Sequence, residues 1–198
     1  SKNLKMYSFL FFYMSTFEQH LTTIIRKEAW LMDALKNVRS LQLPDWYIAA
    51  GAIRNTVWNI LHGFPGISHL KDIDVVYFDP LDLRETREKT SNILLKNRQP
   101  SVQWDVINQA RMPPFNSQCK NITSSCASLA YWSETCTCVG VRIEEDNTLT
   151  VCAPHGLHDL FSLLVKPVPL PYQDLELYNR RQKEKQWQKI WQKLTIFS

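Results

Sequence analysis

Missing from this sequence is any Cys-x-x-Cys pair. Its five cysteines stand at 119, 126, 136, 138 and 152, an odd set that excludes zinc-knuckle spacing. Cys136 and Cys138 alternate within a stretch that reads as a strand, so both face one side as small apolar fillers. A reduced, cytoplasmic setting is expected, in which the sequon Asn121-Ile122-Thr123 would meet no glycosylating enzyme. Missing too is an apolar run of membrane-spanning length. "MYSFLFFYM" is too short for a bilayer and has no small-residue cleavage site, so no membrane partner is expected. Residues 1–13 read as an extension, with the domain opening at Met14. Internal repeats and low-complexity tracts are lacking. A strong charge bias is lacking as well: the formal charge is +4, whereas nucleic-acid modules ordinarily cluster a larger basic excess.

What is present suits a folded domain. The chain has 198 residues, 44% of them hydrophobic and 21% charged, enough for a core. Apolar spacing predicts a helix over 16–39, a strand at "WYIAA" (46–50), a helix from Ala52 stopped by Gly63 and Pro65, and a strand from Asp72 to Phe78. A helix over 79–97, with Asp79 or Asp82 near its start, and a strand over 101–108 follow. Strand, helix, strand, helix, strand with short connections is an α/β (α+β) layer arrangement: a small mixed β-sheet backed by helices. Beyond it come a short helix in 122–132, a hairpin turning at Asp146-Asn147 and a charged helix over 173–194. The division is thus a domain over 14–170 and a C-terminal helix (171–198) packed on it. Within that helix Arg180, Arg181, Lys183 and Lys185 read as a solvated face, and Trp187 and Trp191 as docking anchors.

The chemistry gathers on acids. Asp72 and Asp74 alternate at the start of a strand and so share a face, roughly 7 Å apart. Two carboxylates at about 4 Å repel by roughly 4 kcal/mol at an effective dielectric of about 20. Such a pair is either a solvated strand edge or a cation site, and hard oxygen ligands suit Mg²⁺ or Mn²⁺. Asp105 stands between Trp104 and Val106, and a lone acid in an apolar strand needs a partner. If the two strands pair, the three acids can hold metal for in-line attack on phosphorus. Upstream, Gly51 permits close approach of a ligand, and the helix that follows offers free N–H groups to phosphate, with Arg54 in its first turn. Arg111, leaving the third strand, reads equally as a phosphate contact or a loop hydrogen-bonding residue. Asp79 reads as a cap, not a further ligand. In haloacid dehalogenase-like phosphatases and metal-dependent glycosyltransferases Asp-x-Asp ends an apolar strand; here the apolar run follows the acids.

The order glycine turn, helix, Asp-x-Asp, third acid resembles the DNA polymerase beta-like nucleotidyltransferase superfamily. "AAGAIRNTVWNILHG" with "LKDIDVVYFD" is similar to the head-domain pattern of CCA-adding enzymes and bacterial poly(A) polymerases. Together with "WDVINQARM", "TCTCVGVR", "APHGLHDLF" and "RQKEKQW", these segments look like a family of small bacterial nucleotidyltransferase-like proteins over residues 16–194. The resemblance implies a nucleotidyltransferase fold, a nucleoside triphosphate such as ATP as partner, Asp72, Asp74 and Asp105 as metal ligands and catalytic residues, and Gly51, Ala52, Arg54, Asn55 and Arg111 around the nucleotide. Ala52 stands where the superfamily often has glycine or serine, and Asn55 where the CCA-adding pattern has aspartate. Transfer of a nucleoside monophosphate to an unidentified acceptor with release of pyrophosphate is the expected activity. A small molecule is favoured as acceptor over RNA or protein, because the chain lacks the long helical arm that holds tRNA. The rival is a non-catalytic nucleotide-binding or protein-interaction module on the same fold. Oligomeric state has no sequence signal.

Overall fold

The computed structural model describes residues 16–112 and 122–197. The expected N-terminal extension, Cys119 and Asn121 of the sequon lie outside the described residues. Helix α1 (16–27) is followed after Glu28 by α2 (Ala29–Arg39), so the long helix predicted over 16–39 is two. Then come β1 (Tyr47–Ala49), α3 (Gly51–Leu61), β2 (Asp72–Tyr77), α4 (Glu85–Arg98) and β3 (Gln103–Asn108). The second half supplies α5 (Ser125–Leu129), β4 (Gly140–Ile143), β5 (Leu149–Cys152), α6 (His158–Phe161), β6 (Leu164–Val165), α7 (Leu175–Lys185) and β7 (Thr195–Ile196).

Five strands form one mixed sheet in the order β3-β2-β1-β4-β5, and β6 pairs with β7 apart from it. Strands β2 and β3 are parallel, joined through α4, while β1 runs antiparallel to β2 and β4. Alternation along β2 sorts its side chains. Ile73, Val75 and Tyr77 are fully buried in the main core with Ile53 and Val57 of α3 and Leu95 of α4. Asp72, Asp74 and Val76 take the opposite face, where a smaller cluster of Tyr47, Ala49, Val76, Leu129 and Cys152 is packed by Cys126 and Trp132. One face of the sheet is therefore a helix-covered core, and the other is only partly covered.

Several sequence expectations change. Cys126 and Cys152 form a disulfide, tying α5 to the end of β5; the reading of all cysteines as reduced does not hold. Cys136 and Cys138 are buried free thiols, and Cys136 lies in a 3-10 turn over Thr135–Thr137 rather than a strand. Burial pushes the Cys136 thiol up to about 12. The terminal helix ends at Lys185, because Gln186 adopts a left-handed conformation (φ 47°); Trp187 begins a separate 3-10 turn. Neither Asp79 nor Asp82 caps α4, whose N-cap is Arg84. Asp79 Oδ1 accepts instead from the N–H groups of Leu81 and Asp82. No helix among the described residues is long and apolar enough to cross a membrane.

The C-terminal segment closes back on α3. Trp58 meets Trp187 and Trp191 edge-on at 5.4 and 5.2 Å between ring centroids. Trp191 Nε1 donates to Asn59 Oδ1 at 2.8 Å, and Asn59 Nδ2 donates to the carbonyls of Gly66 and Ser68. A fully buried amide thus satisfies the tail and the α3–β2 loop together.

Candidate active site

Register brings the acids together. Asp74 lies opposite Asp105 in the β2–β3 pair and opposite Ala49 in the β1–β2 pair. Asp72, two residues earlier, shares their face at the start of β2. Asp72, Asp74 and Asp105 form no salt bridge among the described residues. Burial first, then the charges of Asp72 and Asp105, raises Asp74 to about 6, against the pull of Arg54 and Lys185. Burial, Asp72 and Glu88 also raise Asp105. Mutual repulsion among hard oxygen donors is the condition that a divalent cation relieves, so the donor set fits Mg²⁺ or Mn²⁺. Among the described residues no group of three His, Cys, Asp or Glu side chains is gathered closely enough to hold an ion alone. Magnesium commonly completes its shell with water and substrate phosphate.

Beside the acids opens a cavity of about 380 Å³. Its floor is the turn from β1 into α3. Ala50 occupies φ 48°, ψ −116°, a conformation that L side chains disfavour; the strained residue of the turn is Ala50, not Gly51. A Cβ built on Gly51 would come no nearer than 3.9 Å to Asn55 Nδ2, so the fold itself does not demand glycine there. What glycine leaves free is the approach of a ligand to the start of an eleven-residue helix. Ala52 is buried and does not line the cavity, whereas Ala50 and Gly51 do.

Arg54 lines the cavity at 6% exposure. Its guanidinium lies 4.2 Å from the Trp187 ring and 4.9 Å from the Trp58 ring. Nη1 donates to Thr137 Oγ1 at 2.7 Å, and Nε and Nη2 both donate to Asn55 Oδ1. Asn55 therefore orients Arg54 through a neutral oxygen, leaving the cation's charge unspent and part of its five-donor fork open to a ligand. Arg111 has a different fate. It pairs with Glu88 at 2.9 Å and Glu85 at 2.8 Å, and its Nε donates to Leu83 O. It does not reach the cavity; the bidentate hold on α4 consumes the donors that a phosphate would need.

The far wall was not assigned from sequence. Arg181 and Lys185, one helical turn apart on α7, line the cavity with Leu177, Trp187, Tyr131 and Trp132. Arg181 is held by Glu134, fully buried, at 2.8 Å. Lys71 and Lys185 also line the cavity and form no salt bridge among the described residues. The i, i+4 spacing of Arg181 and Lys185 was the available signal, since it puts both cations on one helix face. Cations, a helix N-terminus and two carboxylates lining one cavity are suited to a polyphosphate and the metal it carries.

Such a sheet, turn and acid register define a nucleotidyltransferase fold. The chain belongs to a nucleotidyltransferase family, whose model matches residues 36–196. A solved NMR structure described as revealing a CCA-adding enzyme head domain is 31% identical, covers 91% of this chain and 95% of its own, and superposes with a TM-score of 0.80. The CCA-adding enzyme of Thermotoga maritima, solved with tRNA, shares the fold at 11% identity and a TM-score of 0.55, over 90% of this chain and 42% of that one. A tRNA-processing enzyme in an apo form does so at 15% identity and a TM-score of 0.51, over 83% of this chain and 44% of that one. The chain thus spans less than half the length of these two larger enzymes. No curated protein matches it.

Proposed function

We propose that the chain moves a nucleoside monophosphate from a nucleoside triphosphate to an acceptor hydroxyl, releasing pyrophosphate. The observation that carries this reading is the Asp74–Asp105 register beside a cavity floored by the start of α3. Asp72 and Asp74 would hold Mg²⁺ or Mn²⁺, with Asp105 as the third ligand; the ion supplies charge neutralisation at the reacting phosphate. Gly51 and the first N–H groups of α3 receive the phosphates, and Arg54 adds its free donors. Lys185 and Lys71 contribute further positive charge at the cavity wall. Asp105 orients the acceptor hydroxyl and takes its proton. Arg111 acts at a distance, fixing the end of β3 against α4. The preference for a small acceptor is kept, while likeness to tRNA-acting enzymes makes RNA the comparison to run beside it.

The cytoplasmic expectation rested on reduced thiols, and the Cys126–Cys152 bridge removes that support. The non-catalytic rival draws on the strained Ala50 turn and on the looseness of the acid set. Pyrophosphate release measured with each nucleoside triphosphate, Mg²⁺ and a metabolite extract separates the two. Asp72→Ala and Asp105→Ala are each expected to abolish release while leaving the chain folded. Release that survives both substitutions would refute the mechanism.

A further inference from the structure

Arg54 is a nearly buried cation without a counter-ion. It keeps 6% of its surface exposed and lines the nucleotide cavity. Burial pulls its pKa below the ordinary value, and it forms no salt bridge among the described residues. Three of a guanidinium's five N–H groups are engaged by the neutral oxygens of Asn55 and Thr137. Two are left without a partner among the described residues. A Cβ built on Gly51 would lie 4.0 Å from Arg54 Nη2, so the guanidinium borders the start of α3. A charge held away from water without an opposite charge is costly, and an anion entering the cavity relieves that cost.

Two indoles make a corner for this cation. Trp58, one turn further along α3, and Trp187, brought in by the C-terminal segment, meet at an interplanar angle of 74°. Arg54 Cζ stands 4.9 Å from the first ring centroid and 4.2 Å from the second. Trp191 docks on the same Trp58 but is engaged otherwise, its N–H donated to Asn59. The charges of Glu134 and Asp74 also act on Arg54, and a guanidinium free to swing would be drawn toward them. We propose that Trp187 is a positioning residue, whose ring fixes the Arg54 guanidinium with its two open N–H groups available to a phosphate of the nucleotide. Resting on the nucleotidyltransferase reading above, this makes the C-terminal segment set nucleotide affinity through Arg54 as well as line the cavity. Trp187 thus acts on the phosphates through the cation and not by stacking on the base. A desolvated cation–π contact is strong enough for its loss to be read as about a tenfold change in affinity.

The test uses the full chain with Mg²⁺ and two kinds of probe, followed by calorimetry. One is a set of nucleoside triphosphates whose α and β phosphates are joined by a methylene bridge, which bind without transfer; the other is inorganic triphosphate. Trp187→Leu should weaken both by about tenfold, whereas Trp187→Phe, which keeps an aromatic face, should stay within about threefold of wild type. Trp187→Met serves the same comparison if the leucine variant does not fold, as thermal melts will tell. A double-mutant cycle decides whether the ring acts through the cation: in an Arg54→Met background, Trp187→Leu should cost no further affinity. Equal losses in the two backgrounds, or a loss for nucleotides with inorganic triphosphate unaffected, would overturn the positioning role and make Trp187 a direct contact or a mere prop. So would a phenylalanine variant as weak as the leucine one. Pyrophosphate release from the natural triphosphates is measured alongside. Tight binding without release would sink the transfer reading while this inference stood, and a wild type that binds no triphosphate would sink both.

Discussion

The two faces of the central sheet do opposite work with adjacent residues. Toward the helices, Ile73, Val75, Tyr77 and Val106 are excluded from water and hold the strands in place. Toward the open side, Asp72, Asp74 and Asp105 share a face, and the charges of Asp72 and Asp105 add to the burial that raises Asp74. Position along a strand therefore sends one residue into the core and its neighbour to the partly covered face. The acids at the mouth of β2 are compatible with a buried strand because only one of its faces is buried in the main core.

Neighbouring substitutions should break that symmetry most visibly. Asp74→Asn is expected to lower nucleotidyl transfer by about a thousandfold or more, the loss of several kcal/mol of charge stabilisation, and to leave the fold intact. Ile73→Ala, one residue away, should cost about 3 kcal/mol of stability by opening a cavity in the core, while the surviving folded fraction keeps its turnover. Activity and thermal melts on the two variants check the pair together. Were Ile73→Ala to spare the melting temperature, the division between faces would be wrong.

The pH dependence of stability sharpens the same contrast. In the folded chain Asp74 titrates at about 6, against an ordinary 3.8. Between those values the folded form holds a proton that the unfolded chain has lost, so stability is full below about pH 4 and falls as pH rises through 6. Asp74→Asn should accordingly be the more stable protein at pH 7.5 without divalent cations, by about 3 kcal/mol, with the advantage gone near pH 4. Melts across that range, with chelator present, measure it. A variant less stable than wild type at pH 7.5 would reverse the sign and contradict the desolvation described.

Smaller effects belong to the cavity wall and floor. Lys185→Ala should weaken binding of nucleoside triphosphate with Mg²⁺ about tenfold, more at low than at high ionic strength, with little change in melting temperature. Calorimetry at two salt concentrations decides this; an unchanged affinity would return Lys185 to the solvated face expected from sequence. Ala50→Gly should relieve the positive-φ strain and gain about 1 kcal/mol after the entropy that glycine loses. A melt that drops instead would mean that the turn is not strained as described.

Much of this was legible in the chain itself. Turn, helix, Asp-x-Asp and Asp105 can be read locally because helix and strand periodicities are local properties, and they place the acids on one sheet face once β2 and β3 pair. The rest depends on partners far apart in sequence. Nothing in β1 announces that β4 will lie beside it, and no spacing rule joins Cys126 to Cys152. Arg111 read equally as a phosphate contact or a loop hydrogen-bonding residue because its partners, Glu85 and Glu88, lie on α4, outside its own stretch of sequence. The stripe of Arg181 and Lys185 looked solvated because its destination is set by Trp187 and Trp191 docking on Trp58 and Asn59.

That docking has a consequence for how the protein comes into being. Synthesis delivers β1, α3, β2 and β3 before α7, so Asp72, Asp74 and Asp105 are on the ribosome-bound chain before α7 emerges. The nucleotide cavity has no far wall until residues through Trp191 are available to fold back onto Asn59. A nascent or prematurely terminated chain that stops before Leu175 thus carries the three carboxylates but lacks Leu177, Arg181, Lys185 and Trp187, the part of the cavity lining that α7 and the turn after it supply. Closure of the cavity depends on residues 175–191.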